Sequence, residues 1–220
     1  MKIRPILYLA AAMALLPLGV SAKILSGANA AKWKVGAPPP SPWQHSAKET
    51  DIKVEVVKLD GTNWIEFQDN SSSVSANIRQ EFSPLRSGRL SLKVKLAADH
   101  GADFGIYLGP GNASSPAERV VDLKTNSRGM LRMGSTGERL DSGLVLARDK
   151  VEHIFVEFRA KGKDVHIRLG RIGADGKDEV LGEDTFPGRA QPVTRLRLTT
   201  DNSPQGAHFY VTDLQLSPLN

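Results

Sequence analysis

The stretch Gly88-Arg-Leu-Ser-Leu-Lys-Val-Lys-Leu96 alternates apolar and polar residues without a break. In an extended chain successive side chains leave opposite faces, so Leu90, Leu92, Val94 and Leu96 share one side, and Arg89, Ser91, Lys93 and Lys95 the other. A period of two is the mark of a half-buried antiparallel strand. The same alternation recurs over 74–82, 104–108, 120–123, 151–159, 164–169, 195–199 and 209–216, and Ile65 with Phe67 marks a strand before these. No window holds three turns of amphipathic helix; residues 113–120 could form one short turn at most.

Turn chemistry separates these segments. Asp60-Gly61, Ser87-Gly88, Gly109-Pro110-Gly111-Asn112, Ser127-Arg128-Gly129, Lys161-Gly162 and Ala174-Asp175-Gly176 all punctuate the chain. Asp175-Gly176, between 168–172 and 180–181, is the clearest hairpin signal. About a dozen short strands with turns every eight to twelve residues predict an all-β chain, a two-sheet antiparallel β-sandwich of jelly-roll type. A closed eight-stranded barrel is the competing architecture. The sandwich is preferred because segments such as Val151-Glu-His-Ile-Phe-Val-Glu-Phe158 carry bulky residues on both faces, as strands that cross between sheets do.

The ends of the chain read differently. Lys2 and Arg4 precede an apolar run from Ile6 to Val20, and Val20-Ser21-Ala22 offers small or aliphatic residues for signal peptidase. Residues 1–22 are therefore expected to be a signal peptide, with a retained anchor or a cut after Ala28 or Ala30 as the alternatives. The run is about fifteen residues, short of the roughly twenty that span a bilayer. Residues 23–50 form a proline-rich arm around Gly36-Ala37-Pro38-Pro39-Pro40-Ser41-Pro42, which can be neither helix interior nor central strand. Trp33 and Trp43 flank it, so the arm is expected to pack on the body, a flexible linker being the alternative. Residues 51–220 are expected to be a single β-sandwich domain, exported to the periplasm or the extracellular space, with no membrane span in the mature chain.

Composition removes several chemistries. The chain has no cysteine, hence no disulfide, no thiolate metal site and no catalytic thiol. Its formal net charge is +5, but residues 1–22 carry two bases and no acid, leaving 27 bases against 24 acids and a net of +3. That mild balance, with no basic run and no nucleic-acid-binding spacing, argues against a nucleic-acid partner.

The order of features resembles the concanavalin A-like lectin/glucanase jelly-roll superfamily, which includes laminin G-like modules. The matching stretches are Gly36 to Trp43, Trp64-Ile-Glu-Phe-Gln-Asp69, 74–82 leading through Ser83-Pro84 to Gly88-Arg89-Leu90, the pair 151–159 and 164–169, and the closing Phe209-Tyr-Val-Thr-Asp-Leu-Gln-Leu216. Together they cover roughly 36–218. The resemblance implies a range of functions from glycan binding and protein interaction to glycanase and polysaccharide lyase, and a fold alone does not choose among them.

The catalytic patterns that the resemblance implies are not met. The carboxylate series of laminarinase-like enzymes finds only Glu49-Thr-Asp51-Ile-Lys-Val-Glu55, one residue too long. For a lyase, Gln44-His45 and Tyr210 are the right residue types, but Gln44 and His45 are adjacent and lack the arginine-glutamate strand motif. No Gly-x-Ser-x-Gly elbow occurs. No histidine pair has metal-ligand spacing. Asp99, Asp103 and Asp213 are the oxygen donors a structural calcium would use, against the plainer reading of solvated turns. No other cofactor is expected.

For binding, the outward residues Arg79, Lys93, Tyr107, His166, Arg168 and Arg197 are the candidates. Were their strands neighbours, one sheet face would present guanidinium forks to the carboxylates or sulfates of an anionic glycan or cell-surface polymer. Scattering over both sheets would remove that support. Trp64, Tyr107 and Phe155 lie opposite the core by parity and are candidate sugar platforms. The resulting expectation is a non-catalytic protein that binds a glycan or a surface partner. A polysaccharide-degrading enzyme and a structural or assembly protein of the cell envelope are the alternatives.

Overall fold

The structure is a computed structural model that describes residues 25, 30–46, 51–101, 104–111, 115–125, 128–135, 138–200 and 206–219. Residues 1–22, the expected signal peptide, lie outside them. In chain order the first strands are β1 (Gln44–His45), β2 (Ile52–Leu59), β3 (Thr62–Asp69), β4 (Asn77–Leu85), β5 (Ser87–Leu96), β6 (Gly105–Gly109) and β7 (Val121–Thr125). Then follow β8 (Met130–Ser135), β9 (Glu138–Val145), β10 (Val151–Lys161), β11 (Asp164–Ile172), β12 (Asp178–Phe186), β13 (Val193–Thr199) and β14 (Ala207–Pro218). Two short 3-10 turns, Ala30–Lys32 and Pro116–Glu118, complete the described elements.

The strands form two seven-stranded antiparallel sheets, which makes the protein the all-β sandwich that its alternation predicts. Sheet A runs β1-β4-β13-β6-β7-β8-β9 and sheet B runs β12-β11-β10-β5-β14-β3-β2. Strands β4 and β5 are consecutive, with Arg86 alone between them, yet they lie in different sheets. In β5 every second residue from Gly88 to Leu96 is buried, the pattern of a strand with one face on the core. Between the sheets Phe209 stacks on Phe67 and tilts against Phe104, each with centroids 4.5 Å apart.

The segment 151–158 does not cross between sheets. All of β10 lies in sheet B, paired with β5 on one side and β11 on the other. Its second bulky face is Phe155, which points out of the sandwich and is covered by the Arg89 guanidinium 4.1 Å from its ring centroid. Strands β8 and β9 lack this clean alternation. A register shift between Leu131 and Arg132, with Gly143 at φ 77°, interrupts their period.

The arm packs on the body. Trp33 and Trp43 are buried and meet edge to face at 6.4 Å. Asn63 Nδ2 donates to the carbonyls of Ala30 and Trp33, and Gly36 and Ala37 exchange backbone bonds with Val56. Strand β1 then adds the arm to the edge of sheet A beside β4. At the inner end of β3, fully buried Asp69 accepts the N–H groups of Ser71 and Ala76 and the Thr200 hydroxyl. A buried carboxylate needs such donors, and these three join β3 to the loop before β4 and to the end of β13.

Candidate functional site

Inward residues of sheet A, among them Ile78, Leu196, Leu198, Ile106, Leu108, Val121 and Leu123, are fully buried. Alternation therefore sends the residues between them to the outer face. There the register aligns Gln44 with Arg79, Arg79 with Arg197, Arg197 with Tyr107, and Tyr107 with Asp122. The row crosses five strands at steps of about 4.8 Å. Arg79 Nε donates to Gln44 Oε1 at 2.8 Å, and an Arg197 Nη donates to Thr199 Oγ1 at 3.4 Å. Arg79 and Arg197 thus stand directly opposite, like charge against like charge. Two residues along, Arg195 meets the opposite charge of Glu81, whose carboxyl is held below its ordinary range, first by that hydrogen bond.

The row ends in a buried charge cluster. Asp122 is fully buried and accepts from Arg139 at 2.8–3.0 Å and from Arg119 at 3.3 Å. The Arg119 guanidinium lies 3.5 Å from the centroid of the Tyr107 ring. Tyr107 is thereby only 2% exposed although it points away from the core. Trp64 and Phe155 are likewise buried. Parity assigns all three rings to outer faces, but none of them is an open platform; Arg119 lies over Tyr107 and Arg89 over Phe155.

The six candidate binding residues do not share a face, which removes the support they were expected to give together to an anionic glycan and leaves only the sheet A subset. Arg79, Tyr107 and Arg197 lie together in sheet A; Lys93, His166 and Arg168 lie in sheet B. On sheet B the cations are matched by acids. Arg168 bonds Glu157, which also bonds Arg89; Arg89 in turn makes a two-pronged contact with Asp178 at 2.7 Å. His166 meets Glu183 at 2.9 Å, and Lys93 meets Asp213 at 2.9 Å. The physical reason for the split is the β4–β5 corner, which sends consecutive strands to opposite sheets. Arg119, Arg132 and Arg139, which no local pattern marks, join Arg79, Arg195 and Arg197 on the sheet A side.

The suggested calcium donors are not assembled among the described residues. Asp103 lies outside them, Asp213 is engaged by Lys93, and Asp99 Oδ1 lies 2.9 Å from His208 Nδ1. No group of three metal-ligating side chains occurs among the described residues. His208 Nε2 lies 3.0 Å from Glu66 Oε1 and 2.8 Å from the Tyr210 hydroxyl, and Lys53 donates to Glu66 Oε2 at 2.8 Å. Burial opposes ionisation of Glu66, but the bonds from Lys53 and His208 outweigh it and hold the carboxyl below its usual range. Burial, then the Glu66 charge, pushes the Tyr210 phenol up to about 12. Both shifts move these groups away from proton transfer near neutral pH.

Two seven-stranded antiparallel sheets closed face to face in this order make the concanavalin A-like jelly roll, and solved structures share it. A sialidase matches at TM-score 0.63 and 14% identity over 81% of this chain; the chain spans 17% of the sialidase's length. The exoplasmic/lumenal domain of VIP36 in its Ca2+-bound form matches at TM-score 0.54 and 9% identity, over 88% of this chain and 90% of that one. Lectin UEA-II complexed with galactose matches at TM-score 0.51 and 11% identity, over 84% and 96%. No protein-family profile matches the chain, and no curated protein matches it in sequence. Among the described residues no helix is long and apolar enough to cross a membrane.

Proposed function

We propose that this chain is an exported, single-domain, non-catalytic glycan-binding protein whose binding surface is the outer face of sheet A. The carrying observation is the register that sets Arg79 against Arg197, with Gln44 on one side and Tyr107 on the other. Like charges held opposite across two strands are unfavourable, and an anion between two guanidinium forks offsets that cost. The preferred ligand is therefore a glycan bearing carboxylate or sulfate groups. The occurrence of lectin UEA-II with galactose on the same fold supports the broader glycan reading. Export rests on the pattern of residues 1–22.

The same row brings a lyase reading closer, since Gln44, two arginines and Tyr107 are aligned. That chemistry needs a phenol in contact with the sugar, and Tyr107 is sealed beneath Arg119. Binding without turnover is the better fit. A glycan array on the mature protein, with acidic and neutral polymers side by side, tests it. The acidic polymers are expected to bind, Arg79→Ala and Arg197→Ala to weaken them, and Arg168→Ala on the other sheet to leave them unchanged. Unsaturated or shortened products from any bound polymer would overturn the non-catalytic reading, and binding to none would overturn the glycan reading.

A further inference from the structure

The strand register sets positions without net charge around the Arg79–Arg197 pair. Across the strands the neighbours are Gln44 of β1 and Tyr107 of β6. Along the strands, Asn77 stands opposite Thr199 on one side and Glu81 opposite Arg195 on the other. The first three flanks hold neutral residues. The fourth is balanced only because Glu81 matches Arg195. Alternation puts Arg195 on the same outer face as Arg197, so a neutral residue at position 81 would extend the cationic patch to a third guanidinium.

Glu81 is placed for that balance. Its carboxylate accepts a hydrogen bond from an Arg195 Nη. On β6 the residue opposite Arg195 is Gly109, which has no side chain to lay over it. The bond from Arg195 holds the Glu81 carboxyl below its ordinary range, and the charge of Arg79 adds to the shift. Glu81 is therefore ionised at neutral pH, and its field reaches Arg79. By reciprocity, an anion seated on Arg79 feels that field as repulsion. The Glu81 side chain is 60% exposed, and an ion pair so open to water contributes little to folding.

We propose that Glu81 is a specificity-determining residue of the sheet A surface, which takes acidic glycans whose charged sugars are separated by neutral ones over polymers with a charge on every sugar. This rests on the reading of sheet A as the glycan-binding face. One carboxylate or sulfate meets the Arg79 and Arg197 guanidinium groups. The sugars beside it meet groups that exchange hydrogen bonds with hydroxyls, the Gln44 amide across the strands and the Glu81 carboxylate along them. A second anion two residues along the strands, roughly 7 Å away, would have to displace Glu81 before Arg195 could hold it. Specificity is a difference of affinities, and a group that repels the competitor supplies it as well as one that attracts the preferred ligand.

The test is titration calorimetry on the mature protein, at one ionic strength, with two hexasaccharides: a hyaluronan fragment, with a carboxylate on alternate sugars, and an oligogalacturonate, with one on every sugar. Wild type is expected to bind the hyaluronan fragment at least as tightly, although it carries half the charge. A unit charge about 7 Å away in water-like surroundings changes an affinity by about threefold, so Glu81→Gln should strengthen the hyaluronan fragment by about that factor. The oligogalacturonate also gains a charged hydrogen bond to the released Arg195 and should tighten by about tenfold or more, which reverses the preference. Adding Arg195→Ala to Glu81→Gln should remove most of that gain, and the unfolding midpoint of Glu81→Gln should match wild type. A ratio of the two affinities unmoved by Glu81→Gln, with Arg79→Ala still weakening both, overturns this inference alone. A wild-type preference for the oligogalacturonate does the same. Binding of neither oligomer overturns the sheet A reading and this inference with it.

Discussion

Replacing Asp122 by alanine removes the carboxylate that pairs with both Arg119 and Arg139 at the end of the arginine row. The Asp122 side chain is 0% exposed and that of Arg119 only 6%, while Arg139 at 18% can turn toward water. Breaking a buried ion pair from one side costs about 3–5 kcal/mol, because the partner is left charged and dry. Arg139's escape route places the expected loss near the lower end, about 3 kcal/mol. For a chain of this size 1 kcal/mol moves the melting temperature by about 2–4 °C, so a fall of about 6–12 °C is expected. Asp122→Asn keeps the shape and one acceptor and should fall in between. The control is Arg132→Gln, whose partner Asp141 is 69% exposed; such a surface pair is worth about 0–1 kcal/mol. Urea unfolding, with midpoints and slopes compared across the set, reads the differences. An Asp122→Ala loss no larger than that of Arg132→Gln would refute the claim that the cluster is a buried clamp. It would also undo the account of why Tyr107 stays covered.

Two further outcomes follow from the same geometry. Glu66 has a lowered folded pKa, so its contribution to stability is present above its ordinary value of 4.5 and is lost as pH falls below it. Tyr210 is raised from 10.0 to about 12, so its contribution is complete below pH 10 and is lost as pH rises toward 12. Unfolding midpoints measured across pH should show both limbs, with Glu66→Gln flattening the acid one and Tyr210→Phe the alkaline one; unchanged limbs would contradict these assignments. Separately, a Cβ on Gly170 would lie 2.0 Å from the Glu179 carbonyl oxygen and 2.8 Å from the Phe155 ring. Gly170→Ala should therefore cost about 1–3 kcal/mol and speed amide exchange first in β12, and wild-type protection there would contradict the tight approach.

Much of the architecture is legible in the pattern of side chains. The alternation in 88–96 appears as β5 with one buried face, and Asp175-Gly176 appears in the β11–β12 hairpin with Gly176 at φ 77°. The outward direction of Tyr107, Phe155 and Trp64 also follows from parity. The burial of Tyr107 and Phe155 does not, because it depends on Arg119 lying over Tyr107 and on Arg89 lying over Phe155, 66 residues away in sequence. The Asp122 cluster is hidden for the same reason: Arg139 is brought to Asp122 by the pairing of β7, β8 and β9, and no local spacing announces that register.

Local pattern is enough to make the chain all-β, to set which side of most strands faces the core, and to rule out cysteine chemistry. Alternation settles these matters locally, one pleat at a time. Which outward residues meet depends on how the strands pair across each sheet. Arg79 and Lys93 occupy consecutive strands and both point outward, yet the corner at Arg86 sends one to sheet A and the other to sheet B. The partner of Arg79 is instead Arg197, more than a hundred residues later, because hydrogen-bonded register between β4 and β13 decides which side chains are neighbours.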